Sequence, residues 1–340
     1  MDRHKEKSGA EAAFRQEVGM RKRWLAPVIL SIFAVLQPAR AVIFYNTGDP
    51  TYNTTAPTGS LAGSGWQWVG TFDGYAATPI GPHHFLAAHH IEGSVGDVIT
   101  FNGASYTTIA YFDDTVSDLR IWEISGTFPT WAPLYRNSAE VGSQLVVFGM
   151  GLSRGAAVTV GGALKGWMWG SGGETLRWGT NTVNSIVDGG AYWGALLYAL
   201  FQASDDPNEA HLAVGDSSGP VFINDGSGWK LAGVAATVDG YFNYTDSDDG
   251  YFDAAIFDAR GLYYGDPGDW QLVGGDSPVP SGFYATQVSV RASWIDSIVP
   301  PVADCDTPVL SGLQKGLLAA LILLMGCFLL RNPDPLARPS

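Results

Sequence analysis

Cysteine is almost absent: Cys305 and Cys327 are the only two in 340 residues. Two thiols cannot build the disulfide framework of a small secreted scaffold, so the fold must rest on its apolar core. Charge is scarce too. Asp, Glu, Lys and Arg make up 15% of the chain, which argues against a coiled coil or a mainly helical bundle. Basic residues are scarcest in the middle. Eight of the 19 Lys and Arg lie in residues 1–41; Val42 to Asp304 holds eight against 27 acidic residues, a net of −19. A domain of that sign lacks the Lys and Arg clusters that grip a phosphate backbone, so nucleic acid is excluded as a partner. What is present is a large apolar and aromatic fraction, 46% hydrophobic with 12 Trp, 14 Tyr and 16 Phe, enough to bury a real core.

Both ends read as addresses. Met20 opens a basic stretch, Arg21-Lys22-Arg23, followed by an apolar run from Trp24 to Leu36 and by Ala39-Arg40-Ala41. Basic, apolar and small-residue parts in that order predict a secretory signal peptide cleaved after Ala41, with residues 1–19 as an over-extended start. The alternative is a buried or spanning helix, for which the run is short. At the other end Leu317 to Leu330 is apolar on every side and precedes Arg331. Together with Thr307-Pro308-Val309-Leu310-Ser311, it resembles bacterial C-terminal sorting signals of the IPTL/PEP-CTERM type, without their multi-Arg tail. The expected layout is an N-terminal extension and signal peptide at 1–41, one domain at 42–299, a linker at 300–312, a transmembrane or sorting helix at 313–331 and a short tail at 332–340. Such a protein is exported to the periplasm, the outer surface or the medium. Its C-terminal helix either anchors it in the membrane or is removed by a sorting protease.

The middle reads as all-β. Short segments rich in Val, Ile, Thr and aromatics are separated by Gly, Asn and Asp: Trp66–Phe72, Asp97–Phe101, Ser105–Ala110, Leu119–Ile124, Gln144–Phe148, Ala157–Val160, Val221–Ile223 and Lys230–Ala236. Such a pattern predicts a sandwich or barrel. Only the last segment, Gln287 to Val299, has a helical spacing of apolar residues. Gly170–Asn208 and Asp239–Asp276 read as long insertions, the second a surface excursion crowded with Asp, Gly and Tyr.

Three short motifs carry chemistry. In Gly215-Asp216-Ser217-Ser218-Gly219-Pro220 a tight turn before an apolar strand can present a serine hydroxyl, and the N–H groups of Gly215 and Ser217 can converge on one oxygen. The bland reading is an ordinary turn. In Leu86-Ala87-Ala88-His89-His90 an imidazole follows small residues, and an imidazole is the natural proton shuttle near neutral pH. Alternatively it is a partly buried histidine without a role. Four of the six histidines cluster here (His83, His84, His89, His90), but they lack a metal-ligand spacing, so no metal and no cofactor is expected. In Ser117-Asp118-Leu119-Arg120-Ile121 an Asp enters a strand, where it can fix the tautomer of an imidazole or simply cap a turn.

Taken together, the order His, Asp, Ser resembles the trypsin/chymotrypsin family of serine proteases. L-A-A-H stands for that family's T-A-A-H, D-L-R-I for D-I-A-L, and G-D-S-S-G-P for G-D-S-G-G-P. Gly149-Met150-Gly151 resembles the G-W-G strand end, Trp229 to Val234 the strand after the nucleophile, and Phe283 to Val288 with Trp294-Ile295 the closing strand and helix. The resemblance spans about residues 60–299. It implies two packed six-stranded β-barrels with a short C-terminal helix and peptide-bond hydrolysis through an acyl-enzyme. Ser217 would be the nucleophile, His89 the general base, Asp118 its orienter, and Gly215 and Ser217 the oxyanion donors. By the same resemblance His211 falls at the floor of the substrate pocket, or in a loop nearby, with Thr237, Val238 and Gly282 on the walls. No Asp holds that floor position, which argues against a preference for Arg or Lys. Ser218 replaces a family Gly, and Ala236 replaces a Ser that usually touches the triad Asp. In this family a new N-terminal amine often pairs with the Asp before the nucleophile, so cleavage before Val42 would supply a partner for Asp216. The expected partners are protein or peptide substrates, and the expected state is a monomer. The readings from other classes are a catalytically silent binding module at the cell surface and an acidic, Gly-rich structural protein of the cell wall.

Overall fold

The computed structural model describes residues 41–300. The segment expected to be a signal peptide, up to residue 40, and the expected C-terminal helix at 313–331 lie outside the described residues. Among the described residues no helix is long and apolar enough to cross a membrane.

The first half is built from strands that the sequence punctuates clearly. Asp73-Gly74, Asn102-Gly103 and, in the second half, Gly161-Gly162 each join two strands by a two-residue turn with both residues at positive φ. Such turns match the right-handed twist of a hairpin. Val98–Phe101 alternates outward and inward, with Ile99 and Phe101 buried, the period expected of a sheet with one wet face. Six strands close into a barrel in the order Gly70–Phe72, Tyr75–Pro79, His84–Ala88, Leu119–Ile124, Ala104–Asp113, Val98–Phe101. Its core holds Phe72, Phe85 and Trp122, with the Phe72 centroid 5.1 Å from each of the other two. Removing a ring of this kind costs on the order of 3–5 kcal/mol. Arg120 breaks the apolar run of Leu119–Ile124; its guanidinium pairs with Asp113 and lies over the Tyr111 and Trp122 rings at 4.4 and 5.2 Å.

The second half is a seven-stranded antiparallel sheet in the order Arg177–Thr182, Gln144–Gly149, Pro220–Asn224, Trp229–Val238, Gly282–Gln287, Ala195–Leu200, Ser185–Asp188. It therefore departs from the expected six-stranded barrel. A side chain of its first strand reaches the penultimate one: the Asn181 amide donates to the Leu200 carbonyl at 3.0 Å, and to the Ala210 carbonyl outside the sheet at 3.0 Å. One apolar cluster runs from the barrel into this sheet through Phe148, Phe222, Leu231 and Val234, and Trp68 stacks on Phe222 at 5.7 Å. A second cluster, including Val147, Val221, Leu197 and Phe283, fills the sheet itself.

The 170–208 stretch is not an insertion: three of the seven sheet strands come from it. Its strands are short and none of them alternates polar and apolar residues over a length that marks a strand. The 239–276 stretch is also ordered into sheet. Ala254–Ile256 pairs with Ala163–Trp169, and Phe242–Asn243, Tyr263–Asp266 and Asp269–Leu272 form a small sheet of their own. The predicted closing helix is present as a 3₁₀ turn, Ser289–Arg291, followed by Ala292–Ile298. Val288 and Ile295 plug it into the barrel core. Arg291 reaches Asp114 with two hydrogen bonds, which ties the helix to the loop that carries Asp118.

Candidate active site

Strand His84–Ala88 pairs with Leu119–Ile124 in a register that sets Ala88 opposite Leu119. The next residues on each strand therefore meet at one end of the barrel. The chain turns into a single 3₁₀ turn, His89–Ile91, while Asp118 sits just before its strand and is buried. The His89 N–H donates to the Asp118 carbonyl at 3.2 Å and the His90 N–H to Asp118 Oδ1 at 2.9 Å. The other carboxylate oxygen, Oδ2, accepts from His90 Nδ1 at 2.6 Å. Because a carboxylate only accepts, that bond fixes the neutral imidazole with its proton on Nδ1 and leaves Nε2 as an acceptor. Ser217 Oγ lies 2.8 Å from Nε2.

His89, the expected base, is not in this chain of contacts. Its Nε2 faces Asp113 at 3.7 Å on the exposed side of the turn. The correction is one position and has a local cause. Two adjacent histidines end the motif, and the 3₁₀ turn sends consecutive side chains in different directions. Counted from the contacts, Ala87-Ala88-His89-His90 matches T-A-A-H, with His89 in the place of a small residue.

Ser217 is held by the second sheet. The preceding turn is wound around the buried Asp216 carboxylate, which accepts from the Ala213 N–H and the Gly151 N–H, both at 2.8 Å. The close fit explains the glycines: a Cβ on Gly149 would fall 2.0 Å from Asp216 Oδ1, and one on Gly219 would fall 1.9 Å from the Phe148 carbonyl oxygen. Gly215 adopts φ 89°, open to glycine at little cost. The Asp216, Ser218 and Gly219 N–H groups are spent on Ala213, Ala235 and Asp216 carbonyls. The Gly215 and Ser217 N–H groups donate to nothing among the described residues, so both are available to a ligand oxygen.

Ser218 follows Ser217 and meets the end of the strand His84–Ala88. It is buried, at φ 66°, and its Oγ accepts the Ala88 N–H at 3.1 Å. A hydroxyl from the sheet thus tethers the end of the histidine strand in the barrel.

Burial pushes the Asp216 carboxyl up to about 7. Its N–H donors, Val42 among them, and the Arg177 charge pull the other way. Val42 and Ala41 are fully buried.

The cleft beside Ser217 has a volume of about 740 Å³ and is lined by Thr237 and Val238, and also by Trp169, Tyr241, Phe252, Asp239 and Asp253. His211 and Gly282 are not part of its lining. His211 is fully buried in a two-residue strand paired with Ile43–Phe44, against the Phe201 and Phe283 rings, and its Nδ1 contacts the Leu212 carbonyl at 2.6 Å. Burial lowers its pKa, so it is a neutral core group. The Gly282 N–H is spent on Asp239 at 2.6 Å, and its Cα packs against the Tyr198 ring. Trp193, on the short helix Gly190–Trp193, sets its ring edge to face against His90 at 5.7 Å. Nothing in the G-A-Y-W-G sequence marks that contact in advance. Among the described residues no cluster of side chains is arranged to hold a metal ion.

No family model matches the chain, and no curated protein does. Solved structures do. The inactive form of the Rv3671c protease of M. tuberculosis H37Rv shares 14% identity over 72% of this chain and 98% of its own, with a TM-score of 0.40. Mouse neuropsin, a serine protease, shares 13% over 68% and 94%, at 0.42. A mutant of human heparin binding protein (CAP37) shares 11% over 68% and 90%, at 0.40. The described residues form an all-β fold in which one closed six-stranded barrel stands beside a seven-stranded sheet. In this fold the Ser217–His90–Asp118 contacts fall where strand ends of the barrel meet a turn of the sheet.

Proposed function

We propose that the protein is a serine endopeptidase. The observation that carries the reading is the linear chain Asp118 Oδ2–His90 Nδ1 and His90 Nε2–Ser217 Oγ, at 2.6 and 2.8 Å. In it Ser217 attacks the scissile carbonyl while His90 Nε2 takes its proton. The Gly215 and Ser217 N–H groups bind the oxygen that becomes negative. His90 then gives the proton to the leaving amine, and water repeats the sequence on the acyl-enzyme. Asp118 keeps the proton on Nδ1 and stabilises the imidazolium. The missing Ser partner at Ala236 is offset by the His90 backbone N–H, which satisfies Asp118 Oδ1.

Export and cleavage after Ala41 belong to the same proposal. Cleavage would turn the buried Val42 amide beside Asp216 into an ammonium. That charge would hold Asp216 ionised and lock the turn that carries Gly215 and Ser217. The supports are the Val42 hydrogen bond to Asp216 and a carboxyl whose burial disfavours its charge.

The test is hydrolysis of an unstructured protein substrate by the exported protein, beside Ser217→Ala. Cleavage with a burst of acyl-enzyme, lost in the variant, is the expected result; cleavage that survives the substitution refutes the assignment. Placing one residue between Ala41 and Val42 should remove most activity, and full activity would exclude the activation step.

A further inference from the structure

The cleft beside Ser217 carries a charge that the proposed chemistry does not use. Two carboxylates line it, Asp239 and Asp253, and no Lys, Arg or His does. The two differ in their bonding. Asp239 is saturated: it accepts the Tyr198 and Tyr284 hydroxyls, each at 2.7 Å, and the Gly282 N–H at 2.6 Å. It is part of the wall. The Asp253 carboxylate accepts no hydrogen bond and meets no cation among the described residues. It is half-buried, and desolvation alone pushes its carboxyl up. A carboxylate stripped of water without a partner is held at a cost that a cation entering the cleft would relieve.

Asp253 is also firmly placed. Its carbonyl accepts the Trp169 N–H at 3.0 Å; Phe252 before it exchanges two backbone bonds with Phe242, and Ala254 after it pairs with Met168. Asp253 is thus held by its own segment on one side and by the strand Ala163–Trp169 on the other. Trp169, Tyr241 and Phe252 supply aromatic surface in the same cleft. Such rings accommodate the stem of a long side chain and attract its charged head.

We propose that Asp253 is the specificity-determining residue of the peptidase, and that the cleft takes the Arg or Lys side chain of the residue whose carbonyl Ser217 attacks. The proposal rests on the peptidase reading for its biological meaning. It assigns to a segment outside the expected pocket the charge that position 211 lacks, and so reverses the sequence-based argument against basic substrates.

Binding and turnover test it separately. Benzamidine, a small mimic of the Arg head, should bind the exported protein in calorimetry. Affinity should fall at least ten-fold in Asp253→Asn and recover in part in Asp253→Glu, with thermal melting unchanged. Equal affinity for wild type and Asp253→Asn, or no binding to wild type, overturns the proposal whether or not the protein hydrolyses peptides. With matched peptides carrying Arg, Lys or Phe before the scissile bond, Asp253→Asn should lower kcat/KM about a hundred-fold for the basic pair and leave Phe within about three-fold. A uniform loss would show a structural role and overturn it as well. Absence of all hydrolysis while benzamidine binds as described would refute the peptidase reading and leave the cation site standing.

Discussion

The barrel and the sheet contribute unequally to this site. The barrel is closed and gives two side chains, His90 and Asp118, from adjacent strand ends in a paired register. The sheet is open and gives the rest: Ser217, the two free N–H groups, and a cleft with walls from the 239–276 segment. Geometry for proton transfer comes from hydrogen-bond ladders that leave little freedom. The proposed recognition comes from the 239–276 segment, which lines the cleft. Chemistry and selectivity should therefore fail separately when each region is altered.

The largest expected effect lies in the barrel, between neighbours in sequence. His90→Ala should lower kcat by about 10⁴-fold or more, because base and acid are lost together. His89→Ala should stay within about three-fold, as its contact with Asp113 lies outside the proton path. Steady-state kinetics on one peptide decides this, and the reverse order would move the triad back to His89. Next comes Asp118→Asn. An amide cannot hold Nδ1–H in the same way, so kcat should fall about 10⁴-fold with KM little changed. A similar KM change without loss of kcat would show that Asp118 only shapes the turn.

A smaller effect should appear at the contact between the regions. Ser218→Ala leaves the buried Ala88 N–H without an acceptor, a loss of about 1–3 kcal/mol in stability. Ser218→Gly loses the same bond but relieves the positive φ, so denaturant unfolding should find it more stable than Ser218→Ala. Equal stability of the two would mean that the strain at 218 is negligible.

A last effect concerns the sheet alone and depends on pH. Glu209 is buried in a polar cavity, and desolvation first of all raises its carboxyl to about 8. For an acid with a raised folded pKa, the protonated form favours folding. Its contribution is complete below the unfolded value near 4.5 and is lost as pH rises to about 8. Glu209 Oε1 accepts from Asn181 and from the Gln202 N–H, which Gln can keep. Glu209→Gln should therefore match wild type at pH 4 and melt higher at pH 8.5, by on the order of 3 °C for each kcal/mol lost. Parallel melting curves at both pH values would contradict the cause.

What the sequence revealed follows the same division. Strands with hairpin turns were readable because Asp73-Gly74 and Asn102-Gly103 fix both turn type and register. The Ser217 turn was readable because its glycines answer to contacts within a few residues and to the neighbouring Gly149 strand. The histidine was displaced by one position, since nothing in His89-His90 says where the strand ends and the 3₁₀ turn begins. The cleft was the least legible. Family position puts His211 and Gly282 at the pocket, but the 239–276 segment supplies Asp253, Tyr241 and Phe252 and the strand Ala163–Trp169 supplies Trp169, and the pairings that bring them beside Ser217 link residues far apart in sequence. Arg177–Thr182 is short and polar with little period-two signal, and Ala195–Leu200 is a continuous apolar run whose spacing does not separate strand from helix.

The central claim is that His90, aligned by Asp118, activates Ser217. A fluorophosphonate probe tests it most directly, because it reacts with an activated serine whatever the substrate preference. The protein should be labelled on Ser217, as mapped by peptide mass, and labelling should vanish in Ser217→Ala and in His90→Ala while persisting in His89→Ala. A folded wild type that takes up no probe, or a His90→Ala variant labelled at the wild-type rate, would contradict the account.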